Sequence, residues 1–284
     1  MIRFLILAGY FELMMYLQVS GKLNQFINVH YSYLAILSMI LSFVLAVVQL
    51  VLWVKADGKK EDSVEHSHEE GIEHEHGLKK RHQRVIAYIL LALPVIVGTF
   101  FPVVSLDTTI VQAKGFQFPI SKESVGDPQM QTQYLQPNTS MYYNKTEYQK
   151  QMDKLMKKYD KSGTLAVTEE NYLEIMELIY NYPSEFIGRK ISFDGFIYHA
   201  KQDQKEDDFV FRFGIIHCVA DSGVFGLRIH LPAGSSFKND QWVHIEGVIQ
   251  SNFYQPLKRE LPVVQTMKTS TITAPKNQYV YRSF

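Results

Sequence analysis

Apolar positions along this chain change rhythm twice. Up to about residue 105 they run in long unbroken blocks. From about 146 to 181 they recur every three or four positions, and from Lys190 they alternate with polar ones. The blocks lie at residues 2–19, 33–54 and 85–104. A helix needs about twenty apolar residues to cross a bilayer, and the second and third blocks meet that length. The pattern predicts a membrane α-helical N-terminal region, residues 1–105, with three transmembrane helices and the lipid bilayer as its surroundings. The first block is interrupted by Glu12 and Gln18. As an intramembrane polar residue, Glu12 has two readings: a contact to another helix or an ion pathway, or a residue near the interface on a short, shallow helix. A cleaved signal is a third reading of this block, since Arg3 precedes it and Val19-Ser20-Gly21 follows. Glu12 and the prompt second block argue against that. The third block carries Pro94, Gly98 and Pro102. Proline frees a backbone carbonyl that neighbouring helices can satisfy, so this helix is expected to pack against others.

The soluble remainder divides again. Gly115, Pro119, Gly126, Pro128 and Pro137 punctuate an extended linker over 106–143. Helical spacing of Tyr148, Met152, Leu155, Met156 and Tyr159 predicts a helix over 146–159. Leu173, Met176, Ile179 and Tyr180 predict a second over 169–181, capped by Thr168. Period-two alternation then predicts strands at 190–200, 208–220, 224–231, 241–250 and 261–271. Gly195 and Gly247 fall inside strands, where glycine marks bends or bulges. Five strands over about 188–272 point to a small OB-like β-barrel inside an α+β C-terminal domain, 144–284. The connection at 232–240 is short for the helix often found there.

Composition adds little to this pattern, and charge adds an orientation. Mean hydropathy is −0.11 and the formal net charge is zero, values that average two unlike halves. Balanced charge gives no argument for a nucleic-acid partner. The single cysteine, Cys218, rules out an intrachain disulfide. Lysine and arginine mark the cytoplasmic ends of spans. Lys55, Lys59 and Lys60 precede, and Lys79, Lys80, Arg81 and Arg84 close, the loop at 55–84. The loop between the first two blocks carries only Lys22. The N-terminus and the 55–84 loop are therefore expected in the cytoplasm, and the C-terminal domain outside, in a multi-pass cell-membrane protein.

Two sets of residues carry candidate chemistry. His66, His68, His74 and His76, with His82 beyond, form two H-x-H pairs among acids in the cytoplasmic loop. Such donors suit a divalent transition metal such as zinc. They also titrate near neutral pH, and a plainly solvated loop is the third reading. His217, Cys218 and Asp221 form the other set, either a binding cluster or a buried cysteine beside a turn. In a regular strand His217 and Cys218 would face opposite ways, and His199, His230 and His244 lie on other strands. Arg212 is expected to hold loop carbonyls or an acid such as Asp194. There is no G-x-S-x-G elbow, P-loop or H-E-x-x-H motif. No catalytic or cofactor-binding residue is assigned, and no enzyme is expected.

Several stretches carry a family resemblance: Arg3-Phe4-Leu5-Ile6-Leu7, Glu170-Asn171-Tyr172, Gly188-Arg189-Lys190, Asp194-Gly195-Phe196-Ile197-Tyr198 and above all 211–221. They resemble the small subunits of bacterial two-component membrane permease complexes. That resemblance implies a cell-membrane protein working beside a larger multi-span permease subunit, in transport of an ion or small solute. Three spans are also few for enclosing a pathway alone. The alternatives are a stand-alone membrane protein responding to metal or pH through its His-rich loop, and an extracytoplasmic membrane-anchored enzyme.

Overall fold

The computed structural model describes residues 1–61, 81–101, 145–159, 163–202, 205–232, 234–255 and 258–283. The chain divides into two units. The first holds Met1–Asn24 and His30–Ser105; the second holds Gln25–Val29 and Leu106–Phe284.

In the first unit α1 (Ile2–Val19), α2 (Ser32–Glu61) and α3 (Arg81–Phe100) follow the three apolar blocks. All three are long and apolar enough to cross a membrane. α1 packs against both α2 and α3. The α1–α3 contact is close because glycines sit in it. A Cβ on Gly9 would lie 2.8 Å from Val95 Cγ1, and one on Gly98 would lie 2.9 Å from Leu13 Cδ1. Pro94 lies inside α3, and Tyr10 of α1 donates to the carbonyl of Leu91, in the turn that the proline disturbs, at 2.9 Å. The expectation that this helix packs against others is met there. Phe11 meets Phe43 of α2 at 5.3 Å between ring centroids.

The second unit is an α+β domain. After α4 (Lys145–Tyr159) and the short β1 (Leu165–Ala166) come α5 (Tyr172–Asn181) and α6 (Pro183–Phe186), then β2 (Lys190–Gln202), β3 (Lys205–Ile215), β4 (Gly223–His230), β5 (Trp242–Tyr254), β6 (Arg259–Thr271) and β7 (Tyr279–Tyr281). β2 pairs antiparallel with β3 and β5, β3 with β4, and β5 with β6, while β4 closes on β6 in parallel. This circuit, β2-β3-β4-β6-β5 and back to β2, is the OB barrel order. Register explains its filling. Ile197 faces Val210, which faces Leu227, and Phe193 faces Ile245; none of the five is more than 1% exposed. Gly247 marks a bulge, as expected. Glu246 pairs with Lys268 but Gly247 with Thr266, so Met267 is the extra residue. A Cβ on Gly247 would lie 2.4 Å from the Gln265 carbonyl oxygen, and only glycine fits there. Between β4 and β5 the described residues hold no helix. α5, ahead of the barrel, packs against β4 and β6 instead. It is buried on nearly every side, from Tyr172 to Tyr180 apart from Glu174, with the Tyr180 hydroxyl donating to the Gly226 carbonyl at 2.9 Å.

Several boundaries differ from the sequence reading. The expected second helix begins three residues later, at Tyr172, because Asn171 rather than Thr168 occupies the N-cap. Asn171 Oδ1 accepts from the Thr168 amide at 2.7 Å. β3 ends at Ile215, well before Ala220. β5 runs on to Tyr254. The linker expected over 106–143 lies outside the described residues.

Candidate functional site

β3 stops where one carboxylate gathers its continuing backbone. Asp221 Oδ1 accepts from the amides of His217 at 3.0 Å and Cys218 at 2.9 Å. Asp221 Oδ2 also meets the His217 amide at 3.0 Å and His217 Nδ1 at 2.7 Å. A carboxylate offers about four acceptor positions, and amides aimed at it hold the chain in a tight turn instead of a strand. The turn continues as a short 3-10 helix, Val219–Asp221. Of the predicted trio, His217 and Asp221 therefore meet directly. Cys218 contributes its backbone, and it is only half-buried rather than a core cysteine.

The turn is also the mooring of a distant segment. Ile27, between α1 and α2, forms an antiparallel bridge with Cys218. The Asn28 amide donates to the His217 carbonyl at 2.9 Å, and the Val219 amide to the Phe26 carbonyl at 2.8 Å. Asn28 itself is fully buried, at 0% exposure. Its Nδ2 donates to the carbonyls of Ile216 at 2.7 Å and Arg282 at 2.8 Å. This is why Gln25–Val29 belongs to the C-terminal unit.

Behind Asn28 lies a buried ion pair. Arg282 Nη1 donates to Glu177 Oε2 at 2.7 Å, both side chains being about 5% exposed or less. The Arg282 amide donates to the Ile215 carbonyl. The other Glu177 oxygen accepts from Tyr148 at 2.9 Å, and Asn181 Nδ2 donates to Tyr148 Oη at 3.1 Å. Burial, and then the neighbouring Glu177 carboxylate, push the Tyr148 hydroxyl well above its ordinary pKa, so it stays a donor. The network thus joins α4, α5, the end of β3, the C-terminal segment and the 25–29 segment. The sequence reading missed Asn28, Glu177 and Arg282. Their separations, up to 254 positions between Asn28 and Arg282, leave no local pattern.

The other candidates separate. His199 Nδ1 meets Asp208 at 2.6 Å and its Nε2 the Phe237 carbonyl at 2.7 Å. His244 Nδ1 meets Asp194 at 2.5 Å. Each of these histidines has its own carboxylate, and the described residues hold no group of three or more His, Cys, Asp or Glu placed for a metal ion. Arg212 does hold a loop carbonyl, that of Asn277 at 3.0 Å. Its acid, however, is Glu169 at 3.2 Å, because His244 occupies Asp194. Arg212 also lies against the Tyr172 and Trp242 rings. Glu12 stands exposed on α1. His66, His68, His74 and His76 lie outside the described residues.

Three apolar helices joined to an OB-like α+β domain that incorporates part of an inter-helix loop define a membrane protein with a barrel domain. Residues 2–117 match the DUF1980 N-terminal domain and 142–282 the DUF1980 C-terminal domain, so the chain belongs to the DUF1980 family. It is 47% identical, over the full length of both chains, to the Streptococcus mutans protein named "Putative two-component membrane permease complex subunit". It is 41% identical, again over both full lengths, to UPF0703 protein YcgQ of Bacillus subtilis.

Proposed function

We propose that this chain is the accessory subunit of a two-component membrane permease, docking on a larger multi-span partner that carries an ion or small solute. The observation that carries the reading is the want of an interior in the three-helix unit. Leu13, Leu17 and Ala46 are the buried residues described in its helices, and α3 has none. A hydrophilic path must be screened from lipid by protein on all sides, and the described residues of these three helices enclose almost no side chains. The relative from Streptococcus mutans bears the name of a permease complex subunit, in agreement with a partner supplying the path.

The C-terminal domain belongs outside the cell in this reading. Two spans, α2 and α3, separate Gln25–Val29 from the rest of its unit along the chain. A segment built into a domain lies on the domain's side of the membrane, so α2 and α3 both cross or neither does. Their apolar lengths favour crossing. The basic residues that flank the 55–84 loop then put the loop in the cytoplasm and the domain opposite.

The test is crosslinking in native membranes followed by mass-spectrometric identification of captured chains, with solute uptake measured after deletion of this chain. A multi-span protein captured in comparable amount, and lost uptake, are expected. Isolation of the chain without any multi-span protein, together with unchanged uptake, overturns the proposal.

A further inference from the structure

Glu12 is held exposed on the flank of the α1–α3 contact. Gly9 lies against Val95 and Leu13 against Gly98, Tyr10 bonds Leu91, and Leu13 and Leu17 are buried. These contacts set the rotation of α1 about its axis. Leu5, Glu12, Tyr16 and Val19, at successive spacings of seven, four and three positions, form an exposed stripe beside this contact, with Met15 on the side farther from Gly9. Leu5 is 56% exposed, Met15 42% and Val19 83%, and Glu12 is exposed among them. Glu12 lies roughly two turns, about 10 Å, from the C-terminal end of α1. Turning it inward would drive Gly9 and Leu13 out of the close α3 contact.

An ionisable side chain within a span is costly in hydrocarbon and normally faces protein or water. Here, among the described residues, Glu12 is exposed rather than packed between the chain's own helices. We propose that the Leu5–Glu12–Val19 face of α1 is the docking surface for a membrane helix of the partner subunit, and that this helix brings a basic side chain to Glu12. Charge complementarity selects the occupant. A purely apolar helix would leave the carboxylate as costly as lipid does, and a second copy docked face to face would bring a second Glu12. The small residue Ala8, between Leu5 and Glu12 on this stripe, would let a partner helix approach closely. The proposal rests on the reading of this chain as a permease subunit.

The full-length protein in native membranes tests it with a photo-crosslinking residue at Met15 or, on the exposed side of α2, at Leu37. Glu12→Leu and Glu12→Gln are made in the Met15 probe. Met15 is expected to capture a multi-span protein. Glu12→Leu should lower the capture roughly three- to twentyfold, the range spanned by measured polar contacts between membrane helices, and Glu12→Gln should lose less. The barrel reports folding independently, through the fluorescence of the buried Trp242 with Trp53 replaced by Phe, and its melting should be unchanged in both variants. Capture of a second copy of this chain from Met15 overturns the proposal, as does capture unaffected by Glu12→Leu. If Leu37 captures the multi-span protein and Met15 only lipid, the docking face is wrong while the subunit reading stands. If neither position captures a multi-span protein, the subunit reading falls and takes this proposal with it.

Discussion

Replacing Asn28 by alanine should unfold the C-terminal domain at a markedly lower temperature, although residue 28 lies over a hundred positions before the barrel. The side chain is fully buried and its Nδ2 serves two carbonyls, those of Ile216 and Arg282. Alanine removes both donors. Each buried acceptor left unsatisfied costs about 1–3 kcal/mol. Because a carbonyl keeps a second lone pair for other partners, we take a combined loss of about 2–4 kcal/mol. At about 2–4 °C per kcal/mol for a domain of this size, the melting temperature falls by roughly 5–15 °C. Aspartate at the same position should do worse, since it turns a carboxylate toward two carbonyls. The chain has two tryptophans, Trp53 in α2 and Trp242 in the barrel, so a Trp53→Phe background makes fluorescence report the barrel alone. An independent arm uses Ile27→Cys with the native Cys218. The amide bonds flanking this pair place it at a non-hydrogen-bonded site of an antiparallel ladder, where Cα atoms approach to about 4.5 Å, within disulfide reach. Mild oxidation should crosslink the pair and offset part of the Asn28→Ala loss. A melting temperature within about 2 °C of the parent for both Asn28 variants, with no crosslink at 27–218, would refute the idea that this segment is part of the domain.

Two further perturbations follow from the same packing. Arg282→Ala strands Glu177 in a buried site and should cost about 3–5 kcal/mol, whereas the double replacement Arg282→Met, Glu177→Leu should recover most of it; equal melting of single and double variants would contradict this. Glu174 is a pH-dependent support. Burial raises its carboxyl, but hydrogen bonds from Lys158, Ser283 and Tyr159 outweigh that and hold its pKa below the usual value. A carboxylate depressed by folding adds stability above its unfolded pKa, and the gain is lost as pH falls through the folded value. Glu174→Gln should therefore melt lower than the parent at pH 7, with the gap closing below about pH 4.5. A gap of constant size from pH 7 to pH 3 would show that the charge plays no part.

What could be read in the sequence was what repeats locally. The α1 boundaries coincide with the first apolar block because a span needs nothing but its own run of apolar residues. The five barrel strands were legible because alternation records which face is buried, and Gly247 because a bulge excludes a Cβ. Errors arise where two local signals compete or a distant group decides. Thr168 and Asn171 both suit an N-cap, and Asn171 takes it with its Oδ1 bound to the Thr168 amide. The alternation read over 208–220 runs past Ile215, but Asp221 takes the amides of His217 and Cys218 out of the ladder.

Asn28 marks the limit of that legibility, and it also shows what the domain is. In the sequence it is an ordinary polar residue in a loop between two apolar blocks. In the fold it supplies an internal donor to the ends of β3 and of the chain. A domain read from 144–284 alone would leave the Ile216 and Arg282 carbonyls without Asn28 Nδ2 and the Val219 amide without the Phe26 carbonyl. Buried polar groups are satisfied almost without exception in stable folds. The folding unit is therefore larger than the contiguous C-terminal region: it includes Gln25–Val29, which lies in the chain between the apolar helices α1 and α2. A fragment beginning at residue 144 should be less stable than the same domain within the full-length chain. Adding a synthetic peptide covering residues 22–31 should raise the fragment's melting temperature, and the same peptide with Asn28→Ala should not. Equal melting of the fragment with and without the parent peptide would show that the domain ends where its contiguous sequence does.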